Sequence, residues 1–173
     1  FSKNIFKKII LGVLIFLLIS IFSFVLYLRT QYVVPILMYH MIDDQRAKQS
    51  PLAISAKSFE NQMDFLRRNK YNVVSLESLV RLIKDESRIP PKTVVITFDD
   101  GYKNNFTQAF PIIKKYSIPI TLFVIPNKVA KMVNEDIFVS WQELIEMRDS
   151  GLVAIGSHTL DDVFLPHIKS LDE

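Results

Sequence analysis

The chain of 173 residues contains no cysteine. That absence excludes disulfides, thiolate metal sites and cysteine nucleophiles, while remaining compatible with either side of a membrane. Neither sign of charge dominates: 21 Lys and Arg stand against 18 Asp and Glu, and part of the small basic excess is the cluster Lys3, Lys7 and Lys8. So slight an excess gives no ground for a nucleic-acid partner. No internal repeat of fixed length and no low-complexity segment interrupts the chain. The length leaves room for one domain plus an appendage.

Charge is missing altogether from Ile9 to Leu28, where only Gly12, Ser20, Ser23 and Tyr27 break an aliphatic and phenylalanine run. Twenty residues at a helical rise of 1.5 Å span about 30 Å, the thickness of a hydrocarbon core. A buried core helix rarely lacks a polar face over such a length, and a cleavable leader carries a shorter apolar region before a small-residue cleavage site. The expectation is an uncleaved membrane anchor through residues 9–28. The lysines before the span, with Arg29 after it, favour a cytoplasmic N-terminus. The chain then divides into a tail, anchor and short linker at 1–32 and a domain at 33–173 facing away from the cytoplasm.

Beyond the anchor, short apolar runs alternate with helical periodicity. Val33–Tyr39 reads as a strand ending at His40, and 41–56 as a polar surface loop. Ser58 is a candidate cap for a helix reaching about Asn69, with Phe59, Met63 and Leu66 on one face. Asn72–Ser75 reads as a strand, Leu76–Lys84 as a helix, Thr93–Phe98 as a buried strand and 104–116 as a helix in which Pro111 marks a first turn or a break. Pro119–Ile125 is a further strand. Ser140-Trp141-Gln142-Glu143 is a capping box opening a helix that Gly151 can close, and Val153–Ser157 is a strand ending at His158. This alternation predicts an α/β architecture with a largely parallel sheet.

The Thr93–Phe98 strand ends in Asp99-Asp100-Gly101. Two adjacent carboxylates at the mouth of an apolar strand repel unless a cation or a shared proton relieves them, and glycine allows a sharp turn there. The plainer reading is a turn, for which Asp-Gly is a common dipeptide. The positions of the other reactive groups favour a site. His40, Asp99, Asp100 and His158 all fall at the C-terminal ends of strands, the face at which a β/α barrel gathers its catalytic groups. The third histidine, His167, has no such placement and reads as surface. If the chain turns helically after His158, then Asp162, four residues on, lies on the same side. With Asp100 they would form a metal site of two carboxylates and one imidazole. A loop histidine held by hydrogen bonds, and acids at 161 and 162 that serve as helix caps, are the plainer alternatives.

Thr97-Phe98-Asp99-Asp100-Gly101 and Ser157-His158-Thr159 resemble the first and second motifs of the polysaccharide deacetylase family, the NodB-homology domain of carbohydrate esterase family 4. Pro35-Ile36-Leu37-Met38-Tyr39-His40 and Pro119-Ile120-Thr121-Leu122-Phe123-Val124 are similar to further segments of that family, so the likeness runs from Val34 to about Leu165. The resemblance implies a distorted β/α barrel and metal-dependent removal of N-acetyl groups from a cell-surface glycan, either peptidoglycan or poly-N-acetylglucosamine. By position, Asp99 would be the general base acting on a metal-bound water, and Asp100 and His158 would be metal ligands. The implied metal is zinc first, with cobalt, nickel or manganese as alternatives. The family's second metal-binding histidine would fall at 162, where this chain has Asp162. A carboxylate there still ligates but favours harder cations; alternatively it does not bind.

The family's later arginine, tryptophan and Leu-x-His motifs do not occur before Glu173. About five strands are therefore expected, too few to close a barrel, and the sheet is expected to keep an open edge. His40 is a candidate contributor to the site, the alternative being a buried, hydrogen-bonded histidine. Two other functions remain open at this point: an inactive, glycan-binding member of the same fold, and a phosphotransfer enzyme with Asp99 as nucleophile. The latter usually needs a second acid where Gly101 stands.

Overall fold

A computed structural model describes residues 3–30, 33–133 and 136–163 of the chain. His167 lies outside the described residues. The chain divides into two units, Phe1–Val33 and Val34–Glu173. The first contains α1 (Lys3–Thr30), whose stretch Ile5–Tyr27 is long and apolar enough to cross a membrane. Its large apolar side chains, from Ile5 to Tyr27, are exposed on every side. A helix that is apolar all round has no single core face to select.

The second unit is built on a five-stranded sheet. Its elements in chain order are β1 (Ile36–Tyr39), β2 (Met41–Ile42), β3 (Ala53–Ile54), α2 (Ala56–Arg68), β4 (Asn72–Val73), α3 (Leu76–Lys84), β5 (Thr93–Phe98), α4 (Phe110–Tyr116), β6 (Ile120–Val124), β7 (Met132–Val133), β8 (Asp136–Ile137), α5 (Trp141–Asp149) and β9 (Val153–Ser157). The main path runs β1-β5-β6-β9, all parallel, with β4 also pairing with β5. Every residue of β5 is buried. This is why its sequence is a continuous apolar and β-branched run rather than an alternation: helices cover both faces of a parallel sheet. Among the described residues, β1 and β9 each pair on one side only, and Ile36, Met38 and Ile155 are exposed along them. A groove of about 810 Å³ follows β1 between Ile36, Met38, Phe65 and Tyr71.

Packing fixes where β5 ends. Helix α2 buries Phe59, Met63 and Leu66, one apolar stripe at helical spacing. Phe59, Tyr39 and Phe98 meet as an aromatic trio with ring centroids 5.1 to 5.5 Å apart. Each such pair contributes about 0.5–1.5 kcal/mol beyond its buried area. Phe98 directly precedes Asp99, so the trio anchors the backbone that carries the acidic pair.

Several local expectations are corrected. The cap of α2 is Ser55, whose hydroxyl accepts from the backbone N–H of Ser58, while Ser58 lies within the first turn. Two serines three residues apart both satisfy a capping pattern, and the turn that buries Phe59 selects the earlier one. The stretch 41–56 is not wholly irregular: β2 and β3 pair in parallel, and Arg46–Lys48 forms a short 3-10 turn. The helix expected at 104–116 begins as a π-helical segment, Asn105–Ala109, and becomes α4 at Phe110. Pro111 has no N–H for the carbonyl four residues back, and the wider preceding turn accommodates that loss. The hairpin β7–β8 has two-residue strands, too short to show a period.

Candidate metal and hydrolytic site

The exit of β5 is a tight turn. The Gly101 N–H donates to the Asp99 carbonyl at 2.9 Å, and Asp100 between them has φ +70°, a strained conformation for a residue with a Cβ. Gly101 follows with φ +79°, and a Cβ at this position would lie 2.9 Å from Val124 Cγ1. Only glycine meets both constraints. Backbone bonds tie the turn to its neighbours: Ile125 N–H donates to Asp100 at 3.4 Å, and Val139 N–H donates to Gly101 at 3.0 Å. The ion pair of Lys103 with Glu143 fastens the following residues to α5.

His158 continues the β6–β9 ladder, its N–H donating to the Val124 carbonyl at 2.8 Å. This bond brings His158 to the exit face of β5. Its Nε2 is 3.8 Å from Asp99 Oδ2, and its Nδ1 is 3.9 Å from Asp162 Oδ1. The turn that returns Asp162 is not helical, as the four-residue spacing had implied. Thr159 and Asp162 have φ of +58° and +63°, and Thr159 Oγ1 accepts from Val163 N–H at 3.2 Å. The hydroxyl closes the turn in place of a helical carbonyl.

Asp100, His158 and Asp162 present one ligand atom each within 4.8 Å of one another. His158 Nδ1 is buried and has no hydrogen-bond partner. A cation with bonds of about 2.0–2.2 Å holds its donors roughly 3–4 Å apart, so small side-chain movements bring these three to bonding positions. An unpartnered imidazole nitrogen between two carboxylates suits a divalent metal.

The two remaining predicted residues lie beside this cluster. Asp99 is 14% exposed in its side chain. Burial pushes its carboxyl above the usual range and Asp100 adds to the rise, while the imidazoles of His158 and His40 oppose it. His40, half-buried at the end of β1, sits in the adjacent strand: the Asp99 N–H donates to the Tyr39 carbonyl at 2.9 Å. The His40 carbonyl accepts from Asn105 Nδ2 at 2.8 Å. His40 is therefore near Asp99 but outside the three-donor cluster.

Three residues at this face were not singled out from the sequence. Tyr102 is stacked on Phe138 at 5.1 Å; burial first, and then the charges of Asp100 and Asp136, raise its pKa. Lys128, four residues past β6, pairs with Asp162 Oδ2 at 2.8 Å. Buried Asn105 holds the exit of β1. Tyr102 adjoins the Asp-Asp-Gly turn in sequence and was within reach of inspection. Lys128 had no local signal. A cleft of about 190 Å³ opens beside Tyr102, lined by Arg46, Lys103, Asn104 and Asp136 among others.

Residues 86–170 match the model of the family described as polysaccharide deacetylase. The chain is 33% identical over 131 residues to YxkH of Bacillus subtilis (strain 168), covering 76% of this chain and 44% of that protein. It is 29% identical over 132 residues to poly-beta-1,6-N-acetyl-D-glucosamine N-deacetylase of Escherichia coli (strain K12), covering 70% of this chain and 20% of the relative. The structure of IcaB from Ammonifex degensii superposes with a TM-score of 0.68 at 34% identity, covering 74% of this chain and 53% of that one. The chain thus spans less than half the length of these two curated relatives.

Proposed function

Since this chain belongs to the polysaccharide deacetylase family, we propose that it is, or forms part of, a metal-dependent hydrolase that removes N-acetyl groups from a cell-surface polysaccharide. The observation that carries this reading is the convergence of Asp100, His158 and Asp162 beside the partly buried Asp99. Asp100, His158 and Asp162 would hold the cation, with zinc the first choice and cobalt, nickel or manganese as alternatives. When bound, a divalent cation makes water more acidic and polarises the acetamide carbonyl.

Asp99 then accepts the proton that the attacking water loses. The water oxygen adds to the carbonyl carbon, the carbon–nitrogen bond breaks as the nitrogen takes up the proton that Asp99 had accepted, and a free sugar amine and acetic acid, which ionises to acetate, leave. Burial raises the Asp99 carboxyl, and a cation held beside it would favour its ionised form. His40 would contribute to the site from the end of the adjacent strand. Helix α1 would anchor the chain in the membrane, with the domain from residue 33 onward outside the cytoplasm, where such glycans lie. Poly-N-acetylglucosamine is the first substrate to test, because the Escherichia coli relative is named for it; peptidoglycan is the second.

The test combines acetate release from these glycans, with and without chelator, and metal analysis of Asp100→Ala. Chelator-sensitive release and loss of bound metal in the variant are expected. Unchanged metal content in Asp100→Ala would remove the ligand assignment. The alternative reading is glycan binding without turnover. Metal and sugar affinity without acetate release would establish it.

A further inference from the structure

We infer that Lys128 is the positioning residue that makes Asp162 an effective third ligand; this rests on the metal reading above. Two carboxylates, Asp100 and Asp162, approach one imidazole here, and each repels the other. Lys128 Nζ takes Asp162 Oδ2 at 2.8 Å, which leaves Oδ1 turned towards His158 Nδ1 at 3.9 Å. The lysine thereby occupies the outer oxygen, offsets one of the two negative charges and fixes the carboxylate plane.

The environment of Lys128 restrains it for this task. It closes the 3-10 turn Pro126–Lys128 directly after β6, its side chain is 24% exposed, and its ammonium lies 5.4 Å from the Phe138 ring centroid. Asp162, by contrast, is 44% exposed and sits in a turn with positive φ, so its own backbone restrains it weakly. The neighbouring residues repeat the link: Asn127 Nδ2 donates to Asp161, and Asn127 N–H donates to the Leu160 carbonyl at 3.2 Å. The segment after β6 thus grips the turn after β9 through two side chains and one backbone bond. An ammonium is a poor competitor for both oxygens at once, since it binds as a point charge and leaves the second oxygen free.

The experiment is calorimetric titration of the detergent-solubilised full chain with Co²⁺ alone. Positioning by Lys128 predicts that Lys128→Met weakens Co²⁺ binding by about 10–100-fold, the usual effect of losing a group that orients a ligand. Lys128→Arg should restore it to within a few-fold. In an Asp162→Asn background, adding Lys128→Met should cause no further loss, because the lysine acts through that carboxylate. If Lys128→Met does not fold, Lys128→Gln, which keeps a donor without the charge, must show the same weakening. Equal or tighter binding by the uncharged variants overturns the inference, because the lysine would then be a mere structural bridge or a competitor of the cation. A wild-type chain that takes up no Co²⁺ overturns both this inference and the metal-dependent reading; weakening only in Asp100→Ala leaves that reading standing and removes this one.

Discussion

The exits of β5 and β9 deliver their side chains to one face by different means. At β5 the backbone does the positioning. Asp99 and Asp100 follow a wholly buried strand, and their turn is bonded to β6 and to the segment before α5. At β9 one backbone bond from His158 continues the sheet, and beyond it the turn is held mainly by Thr159, Asn127 and Lys128 side chains, with a single backbone bond from Asn127 to Leu160. Exposure follows the same gradient, from 14% at Asp99 through 34% at His158 to 44% at Asp162. The proposed base and first ligand are set by the core, whereas the proposed third ligand is set by surface electrostatics, which salt screens and single substitutions alter.

The largest way to separate the two exits is Asp99→Asn. Metal content should be unchanged, because Asp99 is outside the three-donor cluster, while turnover falls about 10²–10⁴-fold through loss of the base. Parallel metal analysis and acetate assays check this, and loss of both would make Asp99 a ligand. Next is Gly101→Ala, which meets both a φ of +79° and Val124 Cγ1 at 2.9 Å. A destabilisation of about 2–4 kcal/mol is expected, combining left-handed strain with overpacking. Denaturant unfolding measures it, and a cost below ~1 kcal/mol would mean that the β5 turn is less rigid than its bonds imply.

The smallest effect tests the tie between the β5 exit and α5. Burial alone would raise the Glu143 carboxyl, but hydrogen bonds from Lys103 and Ser140 bring it below the usual range. A folded value below the unfolded one stabilises the fold above the unfolded pKa of about 4.3, and that contribution is lost as pH falls through the folded value. Glu143→Gln should therefore cost about 0.3–1 kcal/mol near neutral pH, and the difference should shrink as pH falls below about 4.3 and vanish once pH is below the folded value. Thermal melts of both proteins across that range provide the check; a difference that persists in acid would show that the charge is not responsible.

Elements with complete local signals were legible in the sequence. The start of α3 and the capping box of Ser140 with Glu143 match the reading, because caps and apolar spacing act within a few positions. The choice between Ser55 and Ser58 was not legible, since both fit the cap pattern and only the burial of Phe59 separates them. The two-residue strands β2, β3, β7 and β8 exist through their partners and carry no period of their own. Asp162 returns to His158 as the spacing implied, although through a Thr159-closed turn rather than a helix.

By itself, the sequence determined the apolar span of α1, the alternation of strand and helix, and the placing of His40, Asp99, Asp100 and His158 at strand ends. Hydrophobic periodicity and turn chemistry operate over neighbouring residues, so one chain read in order suffices for them. Only the tertiary structure decided which atoms meet: Asn105 on the exit of β1, and Lys128 on Asp162 across 34 positions. Those meetings depend on the parallel register of β1, β5, β6 and β9, which is set by the packing of the whole core and is written in no single stretch.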